Sequence, residues 1–299
     1  HELTPRAREL GVPLESVIGD ARDGALVNAL FERLRPQVIL HAAAHKHVHF
    51  MEAQPAEAIK NNILGTRLLA QAALRLGAER FILISTDKAV RPTGVMGASK
   101  RVAEMVVSAL NREGKTRFVS VRFGNVLGSR GSVIPLFRRQ IAAGGPVTVT
   151  HPDVTRYFMT ISEAVSLVIE AGAQGEGGEV FLLDMGEPIR IVDLARHLIT
   201  LSGLEPGHDI ALEFTGLRPG EKLHEELLTA EENRRPTAHP KIFSSPLHPM
   251  AWAILAPAVE QLETLAQAPC VDESALRELL RKLIPDYQGA VPDGAAARA

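Results

Sequence analysis

Short β-rich runs alternate with longer stretches of helical periodicity between residues 14 and 184, and no other feature of this 299-residue chain constrains its fold as tightly. Residues 14–18 are expected as a strand. Residues 24–34 read as a helix, with apolar Leu26, Leu30 and Leu34 at four-residue spacing, and 38–42 as an apolar strand. Residues 55–76 are helical in pattern, 81–84 a strand, 98–111 a helix and 118–122 a strand. Such alternation builds right-handed βαβ units, and hence a doubly wound parallel sheet with helices on both faces. The fold class is α/β.

Beyond Phe123 the pattern loosens. Residues 124–131 are glycine-rich, 146–150 a short strand, 162–171 a helix, 179–184 a buried strand, and 191–201 a helix with Asp193 in its first turn. Residues 210–214 read as a strand and 274–283 as an amphipathic helix. A smaller substrate-covering region interleaved with the sheet is expected, with 1–123 and 155–185 forming the sheet domain and 124–154 and 186–299 the second.

Composition excludes several function classes. With 45% apolar and 23% charged residues the chain can bury a large core. Its 35 acidic residues against 33 basic ones leave a net charge of -2, with no general attraction for nucleic acid or an anionic membrane surface. No nucleic-acid partner is expected, and any anionic ligand must be met by local groups. The single cysteine, Cys270, excludes an intrachain disulfide and fits a reducing compartment. No apolar run approaches the roughly 18 residues that span a bilayer, and no signal peptide is visible, so the chain as given is expected to be cytoplasmic.

In an open parallel sheet, ligands sit at the carboxyl ends of strands. The stretch FILISTDKAVRPTGVMGASK, residues 81–100, passes through such an end at Ser85, Thr86, Asp87 and Lys88, four groups able to donate, accept or transfer protons. Packing alone does not account for them. The run GDARD, residues 19–23, opens a helix, which an aspartate N-cap explains; the alternative sets Asp20 and Ala21 beside an adenine ring. At Ala42, Ala43 and Ala44 the apolar strand ends in small residues that let a ligand approach the backbone.

His41, His45, His47 and His49 invite a zinc reading. Period-two spacing needs a continuing strand to hold three of them on one face, and no cysteine or close carboxylate completes a set. No metal is expected, and the four are read as loop and pocket-rim residues. Lys46, in the same loop, suits a phosphate. Asn62 and Gly65 are poor helix formers inside a helix, each costing up to about 1 kcal/mol. Gly65 reads as a packing glycine, and Asn62 as a bonding partner for backbone near the strand ends.

HAAAHKH, NNILGT, ISTDKA, GASK, VRFGNVLGSRGSV, HPDVTRYFMTISEAV and FTGLRPGEKLHEEL occur in that order. Together they resemble the CapD-type polysaccharide-biosynthesis family of nucleotide-sugar 4,6-dehydratases, within the extended short-chain dehydrogenases/reductases. The resemblance covers nearly the whole chain. It implies a Rossmann-like sheet domain with a smaller substrate domain, NAD or NADP as cofactor, and UDP-N-acetylglucosamine or a close relative as the UDP-sugar substrate. It also implies a hydride leaving sugar C4 for the nicotinamide, loss of water across C5 and C6, and return of the hydride to C6. That chemistry needs bases for the C4 hydroxyl and the C5 proton, and an acid for the C6 hydroxyl.

On this resemblance Asp87 is the acid for the C6 hydroxyl, which needs a pKa raised by burial. Lys88 takes the C5 proton if desolvation lowers its pKa, against the opposing pull of Asp87, so the two are coupled. Thr86 and Ser85 would bond sugar hydroxyls. Most short-chain dehydrogenases carry a tyrosine four residues before the lysine; here Met96 precedes Lys100 and marks one branch of the family. The C4 base stays open among Thr86, Asp87, Lys88 and a bound water, while Lys100 holds the nicotinamide ribose. The cofactor side is expected to include Asp20, Ala21, Ala42, Ala43, Ala44, Lys46, Asn62 and Ser85.

On the substrate side, Asn125, Ser129, Arg130 and Ser132 lie in a glycine-rich turn suited to presenting backbone N–H groups to a diphosphate. Arg156 and Arg218 are planar, bidentate donors for phosphate or uridine oxygens, and Glu221 suits ribose hydroxyls. Lys46 is expected to serve both ligands. The G-x-G-x-x-G turn that family members carry upstream does not occur before GDARD, so the chain is expected to lack its first βαβ unit. Any membrane anchor of a parent protein would lie in that missing N-terminal region. A homo-oligomer is expected through helices such as residues 98–111. Two readings stand beside the dehydratase: a UDP-sugar C4 epimerase, which would keep the tyrosine, and a non-catalytic nucleotide-sugar-binding module.

Overall fold

A computed structural model describes residues 3–129, 131–229, 234–246 and 250–289. The chain begins with α1 (Leu3–Glu9) and α2 (Gly24–Leu34), then β1 (Val38–His41), α3 (Val48–Ala53) and α4 (Pro55–Ala58). A π-helical segment, Ile59–Leu64, joins α4 to α5 (Gly65–Leu76), and β2 (Arg80–Ile84) ends in a 3-10 turn at Asp87–Ala89. There follow α6 (Val95–Leu110), β3 (Arg117–Arg122), β4 (Asn125–Val126), α7 (Val133–Ala142), β5 (Val147–Val149), β6 (Thr155–Arg156) and β7 (Phe158–Met159). The remainder is α8 (Ile161–Gln174), β8 (Glu179–Leu183), β9 (Ile189–Arg190), α9 (Ile191–Leu201), β10 (Leu212–Phe214), β11 (Arg235–Pro236), β12 (Ile242–Pro246), α10 (Trp252–Gln267) and α11 (Glu273–Leu283).

Local chemistry sets several of these boundaries. Asp23, not Asp20, caps α2 by accepting the Leu26 N–H at 3.0 Å. Gly77, at φ 71°, closes α5 in the left-handed region that glycine adopts without strain. The expected helix at 55–76 is continuous in the structure, with the π-helical turn falling on its NN pair.

The main sheet has the order β1-β2-β3-β8-β12-β11. The first four strands are parallel, with Phe81 opposite Phe118 and Ser120 opposite Val180, and β12 and β11 add antiparallel at the far edge. Successive residues of β2 and β3 bury on opposite faces. Phe81, Leu83 and Phe118 join the core under α5 and α6, while Ile82, Val119 and Val121 join the core under α8. Both faces are apolar because helices cover both, as a parallel sheet requires. This is the expected Rossmann-like α/β architecture. A third core, built on Phe137, Val149, Ile191 and Ile199, unites α7, α9 and the β5–β10 pair beside the carboxyl ends of the sheet.

Two expectations are corrected. Residues 14–18 form no strand; Leu14 and Val17 are exposed and Ile18 is 101% exposed, because β1 is the sheet edge and no described strand lies beyond it for this run to pair with. The helix expected to offer an oligomer surface, α6, is buried at every position except Arg101 and Met105. Its cover is α10 and α11, whose Leu255, Val259, Leu262, Leu276 and Leu280 share its core. Each such side chain stabilises by up to about 1.5–3 kcal/mol on burial, an upper bound for a compact unfolded state.

Charged forks orient this cover. Arg67 meets both carboxylate oxygens of Glu263 at 2.7 and 2.6 Å, and Arg277 donates to the Glu52 side chain at 2.9 Å and its carbonyl at 2.7 Å. Among the described residues, no helix is long and apolar enough to cross a membrane.

Candidate active site

The ends of β1, β2 and β3 converge on two adjoining cavities. The larger, of about 360 Å³, runs from Ala42 and Ala44 past Ser85, Thr86, Met96 and Lys100 to Asn125 and Ser129. The smaller, of about 270 Å³, lies against the third core and is edged by Arg156, Arg218, Glu221 and Glu225. Lys46, Lys88, Asn125 and Ser132 line both.

The loop after β1 is held from beneath. Asn62, in the π-helical turn, accepts the His45 N–H at 2.7 Å and donates to the His45 carbonyl at 3.0 Å and to Ser99 Oγ at 2.9 Å. A wider helical turn places that amide where a regular helix would not, which accounts for a poor helix former at this position. Ser99 in turn donates to the Met96 carbonyl at 2.7 Å, so one amide ties the loop to the start of α6. His41, by contrast, faces the core. Thr66 donates its one hydroxyl hydrogen to the Asn62 carbonyl at 2.7 Å, so His41 Nε2 must donate to Thr66 at 2.9 Å, which fixes the neutral tautomer. Burial, with Lys100 nearby, lowers the His41 pKa to about 3.

At the end of β2, Thr86 caps the 3-10 turn and donates to Asp87 Oδ1 at 2.8 Å. Lys88 Nζ donates to the same oxygen at 3.0 Å and to Asn125 Oδ1 at 3.3 Å, with Glu225 Oε1 at 3.6 Å. Asp87 is fully buried, and its Oδ2 has no hydrogen-bond partner. The close approach of α6 to this turn depends on Gly97, where a Cβ would stand 2.1 Å from the Lys88 carbonyl oxygen. Burial disfavours the Lys88 ammonium, but the carboxylates of Asp87 and Glu225 outweigh it against the opposition of Arg156, so its pKa is raised. Of the two opposing influences weighed for Lys88, the pull of Asp87 therefore prevails over desolvation.

Lys100 is shifted the other way. Burial lowers its pKa to about 8, with only Glu104 opposing, and its ammonium makes no hydrogen bond to the described residues. Beneath it lies a buried ion pair. Arg122 meets Glu104 at 2.8 Å through both Nε and a terminal nitrogen, and Ser85 Oγ donates to Glu104 at 2.6 Å. Burial alone would raise the Glu104 pKa, but Arg122, Arg101 and Ser85 hold it at about 2. Ser85 therefore lines the cavity with its hydroxyl committed inward. At the other end of α6, the Glu52 carboxylate accepts the Val95 N–H, a negative charge at a helix N-terminus.

In the smaller cavity, Arg156 is held by Glu221 at 3.0 Å and by the carbonyls of Thr155 and Leu223 at 2.7 and 3.3 Å. Thr150 also donates to Glu221 at 3.0 Å. Arg218 reaches the cavity from an exposed loop, and Lys46 Nζ lies 3.5 Å from Ser129 Oγ.

The anticipated residues are thus largely gathered, with exceptions. Asp20, bonded to Arg22 at 2.7 Å, and Ala21, beside Gly65, line neither cavity; nor do Ala43, Asn62 or the fully buried Asp87. Arg130 lies outside the described residues. His47 lines both cavities and His49 the smaller one, as rim residues, and no group of three metal-ligating side chains occurs among the described residues. Glu225, buried between Lys88 and Arg156, was not anticipated; its only sequence signal is a carboxylate four residues beyond Glu221 in GEKLHEE.

The polysaccharide biosynthesis protein family model matches residues 2–246. The chain belongs to that family. Among curated relatives, the capsular polysaccharide biosynthesis protein CapD of Staphylococcus aureus is 58% identical over 228 residues, covering 76% of this chain and 38% of that protein. The chain spans about two-fifths of the length of curated relatives such as this one. Among solved structures, Pen from Bacillus thuringiensis is 36% identical with a TM-score of 0.75, covering 84% of this chain and 77% of that one. The UDP-glucose 4-epimerase of Thermus thermophilus, solved in complex with NAD, shares the fold with a TM-score of 0.64 at 23% identity, covering 73% and 76% of the two chains.

Proposed function

We propose that this chain dehydrates a UDP-sugar, UDP-N-acetylglucosamine or a close relative, to a 4-keto-6-deoxy sugar with NAD or NADP as cofactor. The observation that carries this reading is the position of Lys88, which lines both cavities and is paired with the buried Asp87. A lysine at the wall common to two pockets, with a buried carboxylate behind it, suits a reaction between two ligands. The larger cavity fits a nicotinamide and its ribose: Ala42 and Ala44 leave room for a flat ring, and the Lys100 ammonium has its hydrogen bonds unspent. The epimerase solved with NAD supports that assignment by fold. The smaller cavity then takes the sugar nucleotide against residues 124–154 and the region beyond 186, with Arg218, Ser132 and Lys46 toward the diphosphate.

Held by Lys100 against Ala42 and Ala44, NAD or NADP would supply hydride acceptance at sugar C4 and hydride return at C6. The protein's task is the proton traffic between those transfers. Elimination across C5 and C6 takes one proton from carbon and delivers one to the departing oxygen, so it is proton-neutral. Such a step asks for one proton acceptor and one proton donor, which Asp87 and Lys88, 3.0 Å apart, would supply together. Met96 accepts no proton, whereas the Thr86 hydroxyl lines the cavity and bonds Asp87, offering the C4 hydroxyl a route to that carboxylate.

Incubating the purified chain with UDP-N-acetylglucosamine and NAD or NADP tests the reading by mass spectrometry. A product lighter by one water is expected. An epimer of equal mass would replace the dehydratase by an epimerase, and UDP binding with neither cofactor binding nor turnover would leave a binding module.

A further inference from the structure

Glu225 is buried to 6% exposure in the wall of the smaller cavity, and its Oε2 has no hydrogen-bond partner. A buried carboxylate oxygen left unbonded is costly, so the residue needs a reason beyond packing. Three cations face it. Lys88 Nζ stands 3.6 Å and Arg156 Nε 3.8 Å from Oε1, and Lys222 lies close by but spends a hydrogen bond on the Val90 carbonyl at 2.8 Å.

Arg156 does not require this carboxylate, because Glu221 already meets its guanidinium at 3.0 Å. The charge that Glu225 adds falls on Lys88. That ammonium is faced by Asp87, Asn125, Glu225 and, in opposition, Arg156. With Asp87 alone, the Lys88 side chain would be drawn inward toward a fully buried neighbour, away from the cavity. A second carboxylate in the cavity wall, in the loop beyond β10, gives it a counter-pull.

We propose that Glu225 is a positioning residue for Lys88, suspending its ammonium between two carboxylates at the wall common to both cavities and linking it to Arg156 on the substrate side. This rests on the dehydratase reading of the same site. Removing the charge should free the ammonium to lose its proton more readily.

The test compares Glu225→Gln and Glu225→Asp in the full chain. Trace acetylation with acetic anhydride across a pH range, read on the Lys88 peptide by mass spectrometry, reports the Lys88 titration without cofactor or turnover. Glu225→Gln should lower its midpoint by about one unit or more, an increase of about tenfold in reactivity below the midpoint. Glu225→Asp, which retracts the charge by one methylene, should lower it by a smaller step and keeps the test decisive should the glutamine variant fail to fold. In turnover, kcat should fall in the order wild type, Asp, Gln with little change in KM, and the Lys88 limb of the pH profile should move down with the labelling midpoint. An unmoved Lys88 midpoint in the variants that fold overturns the proposal, as does an equal kcat loss in both. Absence of dehydration by the wild type would sink the reaction assigned above, while the labelling profile still decides what Glu225 does to Lys88.

Discussion

Replacing Arg122 by methionine probes whether the strand ends that carry Ser85 to Lys88 are held by the ion pair beneath them. Glu104 and Arg122 have no exposed side-chain surface, and they meet through two contacts of 2.8 Å. Methionine keeps the aliphatic bulk and leaves Glu104 with Ser85 and Arg101 alone. Breaking a buried pair by removing one partner costs about 3–5 kcal/mol. The Glu104 pKa gives a second route to the magnitude, since its fall from 4.5 to about 2 corresponds to roughly 3 kcal/mol. The signs then separate the two proteins. A depressed carboxyl pKa stabilises the wild type above pH 4.5, and that stabilisation is lost as pH falls toward about 2. In the variant the carboxyl is buried without its fork, its folded pKa rises above the unfolded value, and acidification relieves it. Urea unfolding should therefore show a loss of about 3 kcal/mol near pH 7 that narrows near pH 5. A loss under about 1 kcal/mol, or a gap that does not change with pH, would refute the reasoning. Adding Glu104→Leu to Arg122→Met should recover most of the loss, because an apolar pair leaves no charge stranded.

Three further outcomes follow from particular contacts. Gly97→Ala sets a Cβ against the Lys88 carbonyl, a backbone atom that cannot swing away, so stability should fall by about 1–3 kcal/mol and turnover on the order of 100-fold, measured by unfolding and product formation. The folded Lys100 pKa of about 8 lies below the ordinary 10.5, so its ammonium opposes folding below pH 8 and the penalty is relieved as pH rises toward 10.5. Lys100→Met should accordingly raise stability near neutral pH by roughly 1–3 kcal/mol while abolishing turnover, and a destabilised variant would contradict this. Arg277→Ala leaves Glu52 without its fork and should cost about 3 kcal/mol, with residues 252–289 becoming the first site of proteolysis; unchanged cleavage would show that apolar packing alone holds α10 and α11.

What could be read from the chain and what could not divide along a physical line. The alternation of apolar periods placed α2, β2, β3, α9 and α11 within a few residues, because those periods report burial on one local face. Residues 14–18 carry the same β-rich pattern, but a strand exists only with a partner, and partners are not written locally. The end of β2 was legible because four polar groups following an apolar strand have few other uses. The inward turn of Asp87 was not, since it depends on Gly97 letting α6 descend onto the Lys88 backbone. Glu225 was hidden for a similar reason. Its meeting with Lys88 joins positions far apart in sequence, and only the packing of the loop beyond β10 against the third core brings them together.

The two lysines of the site bear on why a methionine, Met96, can stand four residues before Lys100. A lysine activates a phenol only while it is charged, and Lys100, its pKa lowered to about 8 by burial against the pull of Glu104, would be a weak activator above neutral pH. With Met96 beside it there is no phenol to activate, and on the proposed reading Lys100 would serve the cofactor ribose as a hydrogen-bond donor. Lys88 lies in the same pocket and is pushed the opposite way, by two carboxylates that outweigh its burial. Sites that run acid and base chemistry together are recognised by pairs of like groups whose environments drive their pKa values apart. On the proposed reading the proton transfers of this site fall to Asp87 and Lys88, with Glu225 positioning Lys88, and α6 would be left to bind. Exchanging Met96 for tyrosine would then supply a phenol without a task, and should change turnover far less than Lys88→Met does.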